Sequence, residues 1–213
     1  VRRAAGHSLP RLAGAGDAMA RETQQVLEEQ CMKHGVARRG DQVPLQLVHK
    51  DQEIHGLISL DMTTGMINAI QAKCVIIADG GYEGIWTGTS IGLGLELAMR
   101  TGLAVRDLEF VAWAPLAVTG TNVVLPLGML ADGAKLHHSN GTPLDVDQFA
   151  DTTSLANAIR LEGTVLDSRN MGTSEAWWAQ TSELLSTRLG INMSRQTIPI
   201  SAQVSTTLGG IAT

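Results

Sequence analysis

The sequence lacks any concentration of positive charge: beyond Arg38-Arg39 its lysines and arginines are scattered, and the net charge is -5. Nucleic acid and anionic membrane surfaces, which are held by clustered cations, are therefore not expected partners. Cysteine is nearly absent as well. Cys31 falls inside a helical pattern and Cys74 opens an apolar run, so both are read as reduced core residues rather than as a disulfide or a metal pair. That usage points to a cytoplasmic setting. Nor does any stretch reach the roughly 18 consecutive apolar residues of a membrane helix, and the N-terminus has no apolar signal region. Neither membrane insertion nor export is expected. What the chain does have is 213 residues, 44% of them hydrophobic, enough for a sizeable buried core.

Leu12, Ala15, Met19, Val26, Leu27 and Cys31 fall near helical spacing, which predicts one long amphipathic helix over Pro10 to His34, with Ser8 as N-cap and Gly35 as the stop. "VPLQLVHK" and "IHGLISLD" alternate apolar and polar, and "TTG" turns the chain into "MINAIQA"; this predicts a small antiparallel meander. "CVIIA" follows, unbroken by polar residues, the pattern of a strand covered on both faces as in a parallel sheet flanked by helices. "SIGLGLELAMRTG" reads as a helix closed by Gly102, and "AVRDLEFVAW" as extended. From Thr119 the composition shifts toward Gly, Asn and Thr, with helical patterns in "TSLANAIRLEG" and "SEAWWAQTSELLSTRLG". A domain boundary is expected there.

The run "CVIIADGGYEG" stops on an aspartate and two adjacent glycines, Gly80 and Gly81. Two readings stand. Glycines after a buried strand bare backbone N–H groups at the sheet edge where anionic ligands such as pyrophosphate dock. A tight turn that needs glycine for its backbone angles explains the same residues.

"CVIIADGG", followed by "GLGLELAMRTGLAVRDLEFVAWAP", resembles the fumarate reductase, succinate dehydrogenase and L-aspartate oxidase flavoproteins, which carry a strand-ATGG segment, a GDG-containing helix start and an "RAG...LE...HPT" stretch. "AGHSLPRLAGAGDAMARETQQVL" is similar to the family's arginine-bearing segment and helix. "LGMLADGAKLHHSNGTPL" is similar to its "TEALRGEGAYL...G.RF" lead into a capping domain, and "LGINMSRQTIPISAQVSTTLGGI" to its "P.....HY..GG" return. Order and approximate spacing hold over nearly the whole chain. The resemblance implies an α/β fold: a remnant of a doubly wound FAD-binding domain, 1–118 with 200–213 returning to it, and an inserted α+β capping domain, 119–199. It implies FAD as cofactor, with Gly80 and Gly81 approaching its phosphate or ribitol portion and Gly92 and Gly94 opening a helix that faces it. His7 coincides with a histidine near the flavin in some members, though a solvated turn residue is the other reading.

The chemistry positions depart from the family together. Its "HPT" histidine and threonine fall on Ala114 and Leu116; its "TE" and the arginine of "RGEG" on Pro126, Leu127 and Leu130. The proton-donating arginine falls on Leu155, a later arginine is matched by Arg160, and the return histidine falls on Ser205. Dicarboxylate recognition needs cations or hydrogen-bond donors in a closed site, which aliphatic side chains do not supply. No catalytic residue is therefore assigned. Asp79 stands where the family has the threonine of ATGG and would repel a pyrophosphate. The family's GxGxxG unit and its late glycine-rich helix start are not matched, so the chain is expected to be a piece of a longer polypeptide or the product of a gene coding only for the middle.

Other residues carry blander readings. His137-His138 would point to opposite faces of a strand with no third ligand near, so no metal is expected. Trp177-Trp178 read as capping-domain core, with an interface as the alternative. Asp17, Arg21 and Glu22 read as a solvated helix face. The function expected is a fragment or degenerate subunit of the family with its dicarboxylate site lost, structural or regulatory, and partnered by a second copy or a complete flavoprotein subunit. The alternatives are part of an active FAD-dependent oxidoreductase acting on a less charged substrate through an apolar pocket of Ala114, Leu116, Leu127 and Leu155, and a small-molecule binding module without redox chemistry.

Overall fold

In the computed structural model the described residues are 8, 9, 11, 13–86, 90–161, 163–172 and 177–212. In chain order they form α1 (Met19–Lys33), β1 (Gln42–Lys50), β2 (Glu53–Asp61), β3 (Ile67–Gln71), α2 (Leu93–Arg100), β4 (Val105–Arg106) and β5 (Val111–Val118). These are followed by α3 (Gly128–Ala131), β6 (Lys135–His138), β7 (Pro143–Leu144), α4 (Thr152–Leu161), β8 (Thr164–Asp167), α5 (Ala179–Leu189), β9 (Ile198–Thr207) and β10 (Gly210–Ile211). They divide into two units, one of 1–36 with 113–203 and the other of 37–112 with 204–213.

The first unit holds a large hydrophobic cluster. A sheet in the order β5-β9-β8-β6-β7, antiparallel where β8 meets β6 and β9, buries Leu116, Leu136, Leu166 and Ile198 against Met129, Leu155 and Leu185 from α3, α4 and α5. The helices sit where periodicity predicts: α4 turns Leu155, Ala156 and Ile159 inward, and α5 ends on Gly190 in a left-handed conformation that a Cβ would strain. The N-cap residue Trp178 makes no side-chain cap; the Asp17 carboxylate, far away in sequence, accepts from Thr181 N at 2.6 Å instead. Asp17 therefore docks on α5 rather than lying on a purely solvated face.

β8 ends on Asp167, whose carboxylate accepts from Arg169 Nε at 2.9 Å and Nη2 at 2.8 Å. Those hydrogen bonds, working against burial, lower the carboxyl from an ordinary 3.8 to about 2. An acid depressed in the folded state stabilises above its unfolded value and loses that contribution as pH falls toward the folded one. Asp167→Asn is expected to cost about 1 kcal/mol at neutral pH, the half-exposed guanidinium having been discounted for solvent, and to flatten the stability profile between about pH 4 and pH 2. Urea midpoints measured against pH check both.

In the second unit the predicted meander is present as β1-β2-β3, antiparallel throughout. Its "TTG" turn is closed by Asp61 Oδ1, which accepts from Thr63 N and Thr64 N, each at 2.9 Å, ahead of Gly65 at φ 72°. α2 leads to Thr101 and to Gly102 at φ 85°, and β4 pairs antiparallel with β10.

Three expectations are corrected. Cys74 to Ala78 is not a buried strand: among the described residues no strand pairs with it, and Ile76 is 86% exposed. Burial on both faces is supplied by neighbouring strands and helices, and with no strand paired to the run Val75 and Ile77 are only half-buried while Ile76 is exposed. Cys31 and Cys74 are unpaired but exposed rather than core, since Cys74 shares that segment and α1 buries none of its residues. The first helix starts at Met19, after a short 3-10 turn over Gly16–Ala18, because Gly16 adopts φ 63° and interrupts the pattern. Pro10 and Leu12 lie outside the described residues.

Candidate functional site

The glycine pair lies in a loop that is tied down at several points. Tyr82 N donates to Thr207 Oγ1 at 3.2 Å, and the Tyr82 hydroxyl donates to Leu108 O at 2.5 Å. Burial, then the nearby Glu109 charge, push the phenol upward, which keeps it the neutral donor this contact requires. Gly80 has φ 83° and Gly92, the residue preceding α2, has φ 76°, both in the left-handed region that favours glycine.

The space beside these glycines is taken up by the chain itself. A Cβ on Gly80 would meet Ser90 Oγ at 2.6 Å, one on Gly92 would meet Tyr82 Cβ at 2.9 Å, and one on Gly81 would overlap Thr207 Oγ1. At Gly94 it would overlap Asp79 Oδ1 and Ile77. Asp79 is the residue whose role local pattern missed. Its Oδ2 accepts from Gly94 N at 2.7 Å, so it fills the first turn of α2, whose own Gly92 offers no side-chain cap. The signal available was an acid preceding a glycine-started helix, but the fifteen-residue separation hides the pairing.

His7 lies outside the described residues. The positions onto which the resemblance places the family's polar groups include several apolar, buried side chains. Leu116 is 0% and Leu155 3% exposed within one core cluster, with Leu127 and Leu130 packed against it, and Ala114 is also buried. They form core rather than an open lining. Ser205, in the other unit, donates to Ala112 O at 3.4 Å. Arg160 is exposed, its guanidinium 5.8 Å from the Trp113 ring centroid. Trp178 is buried, donating from Nε1 to Asp132 Oδ2 at 2.9 Å.

The family model described as an FAD binding domain matches residues 1–213. The chain belongs to that family. It is 25% identical over 98% of its length to a succinate dehydrogenase flavoprotein subunit of Rickettsia conorii, of which it covers 39%. It is 30% identical over 98% of its length to an L-aspartate oxidase of Mesorhizobium japonicum, of which it covers 44%. Among solved structures its fold is similar to a quinol fumarate reductase chain of E. coli, with a TM-score of 0.86 and 22% identity over 99% of this chain and 43% of that one. The chain thus spans less than half the length of the relatives it matches. The fold is mixed helix and sheet, a fragment of an FAD-binding fold, as the resemblance implied. Among the described residues no helix is long and apolar enough to cross a membrane.

Proposed function

We propose that this chain is part of a fumarate reductase or succinate dehydrogenase-like flavoprotein whose dicarboxylate site has been replaced by hydrophobic core, leaving a structural or regulatory role. The observation that carries this is the burial of Leu116 and Leu155 in one cluster, where the family's threonine and proton-donating arginine would stand. A carboxylate brought there would be desolvated with no donor or cation to compensate it. The competing reading, an FAD-dependent oxidoreductase acting on a less charged substrate, needs the same residues to line a cavity, and the burial of Leu116 and Leu155 in the core cluster with Leu127 packed against it favours the first.

On this reading 1–118 with 200–213 is the FAD-binding-type part and 119–199 the capping-type part. Gly80, Gly81, Gly92, Gly94 and His7 are the positions that the family resemblance would set toward FAD. The partner is a complete flavoprotein subunit or a second copy of this chain, in the cytoplasm.

The test is a reduced dye offered with fumarate and FAD. Loss of a single transition-state donor ordinarily costs roughly a hundredfold to a thousandfold in rate, and several positions have lost theirs together. No fumarate-dependent dye oxidation above background is expected. Turnover that depends on fumarate would overturn the reading.

A further inference from the structure

We propose that the Asp79 carboxylate is an internal anion that occupies the N-terminus of α2 and closes the Gly80-Gly81 turn to phosphate-bearing ligands, FAD included. This concerns the cofactor and stands apart from the fate of the dicarboxylate site. The free N–H groups and partial positive charge at a helix start attract anions, and a phosphate commonly answers them. Here the answer is already supplied. Asp79 Oδ2 takes the Gly94 N–H at 2.7 Å, and the Cβ missing from Gly94 is the space in which the rest of that carboxylate and Ile77 sit.

The glycines fit the same account. At Gly80, Gly81 and Gly92 the absent side chain leaves room for Ser90, for Thr207 and Glu83, and for Tyr82, so the turn and α2 close on each other rather than around a ligand. The surrounding charge also opposes an incoming anion. Glu83 Oε2 lies 3.4 Å from Thr207 Oγ1 beside Gly81, and Glu96 stands in the first turn of α2. The cation of α2, Arg100, is in its last turn, bound to Glu96 at 2.6 Å. A tethered carboxylate acts at an effective concentration on the order of millimolar, so a free phosphate must displace it and then lie among like charges. The residues present do not fit a flavin phosphate at this turn.

The experiment follows the glycine amide resonances of the full 213-residue chain, labelled at glycine, during titration with inorganic pyrophosphate and, separately, with FAD. Expected are no saturable shift of Gly94 in the native chain and a saturable shift with pyrophosphate in Asp79→Ala. Asp79→Asn, which keeps an acceptor for the Gly94 N–H, reports on the intact turn, and Asp79→Thr is titrated in place of the alanine variant should that one not fold. A saturable Gly94 shift in the native chain would overturn the proposal. So would its absence in a folded Asp79→Ala or Asp79→Thr, because another feature would then be excluding the anion.

Discussion

Leu155→Arg, which restores the residue of the family resemblance, is expected to destabilise the first unit by about 4 kcal/mol or more without creating a dicarboxylate site. Leu155 is 3% exposed and packs in the cluster that contains Leu116, Leu136 and Leu166. Losing its burial removes about 1.5–3 kcal/mol, and a guanidinium left unpaired in that place costs several kcal/mol more after relaxation. Net stabilities of domains are about 5–15 kcal/mol, so one substitution consumes much of the total. Leu155→Met, which conserves volume and polarity, is expected to cost less than about 1.5 kcal/mol. Urea unfolding followed by tryptophan fluorescence checks this, since Trp113, Trp177 and Trp178 belong to the same unit. If Leu155→Arg unfolds within about 1 kcal/mol of the native chain and gains stability with fumarate, Leu155 faces a ligand site and the proposed function falls.

The elements that sequence reveals are those whose cause is local. β1, β2 and β3 follow from alternation and a turn held by Asp61 and Gly65, all within one stretch of chain. α2, α4 and α5 follow from helical spacing, and Gly102 and Gly190 mark where two of those helical patterns stop. Interactions between distant residues stay hidden. Asp17 capping α5 and Asp79 capping α2 are pairings that no window of residues displays. Asp79 was legible as a charge that would repel phosphate, but not as the acceptor of the Gly94 N–H. "CVIIA" is the opposite case: its composition specifies a need for burial, whereas burial itself depends on what lies beside it. Leu116 and Leu155 read as apolar in sequence, and only packing shows them to be core.

The same exposed segment leads to the second large effect, on assembly. The isolated chain is expected to sediment as a dimer or larger species across the micromolar range, and Ile76→Lys to weaken that association by about a hundredfold or more. Ile76 is 86% exposed in an apolar run that no strand pairs with among the described residues, and an unpaired apolar segment is one that another chain can cover. Within the same unit Ile85, Ile91, Phe110 and Leu208 are exposed as well, so the apolar surface is not confined to one residue. Covering an isoleucine contributes about 1.5–3 kcal/mol. A symmetric dimer covers it twice, which makes the loss about 3 kcal/mol or more, and each 1.4 kcal/mol is about tenfold in the dissociation constant. A lysine there adds a charge that a pairing strand would have to desolvate. Sedimentation velocity of the two proteins at matched concentrations decides the matter. A native chain that is monomeric throughout would overturn the prediction, and an assembly indifferent to Ile76→Lys would move the contact to another surface.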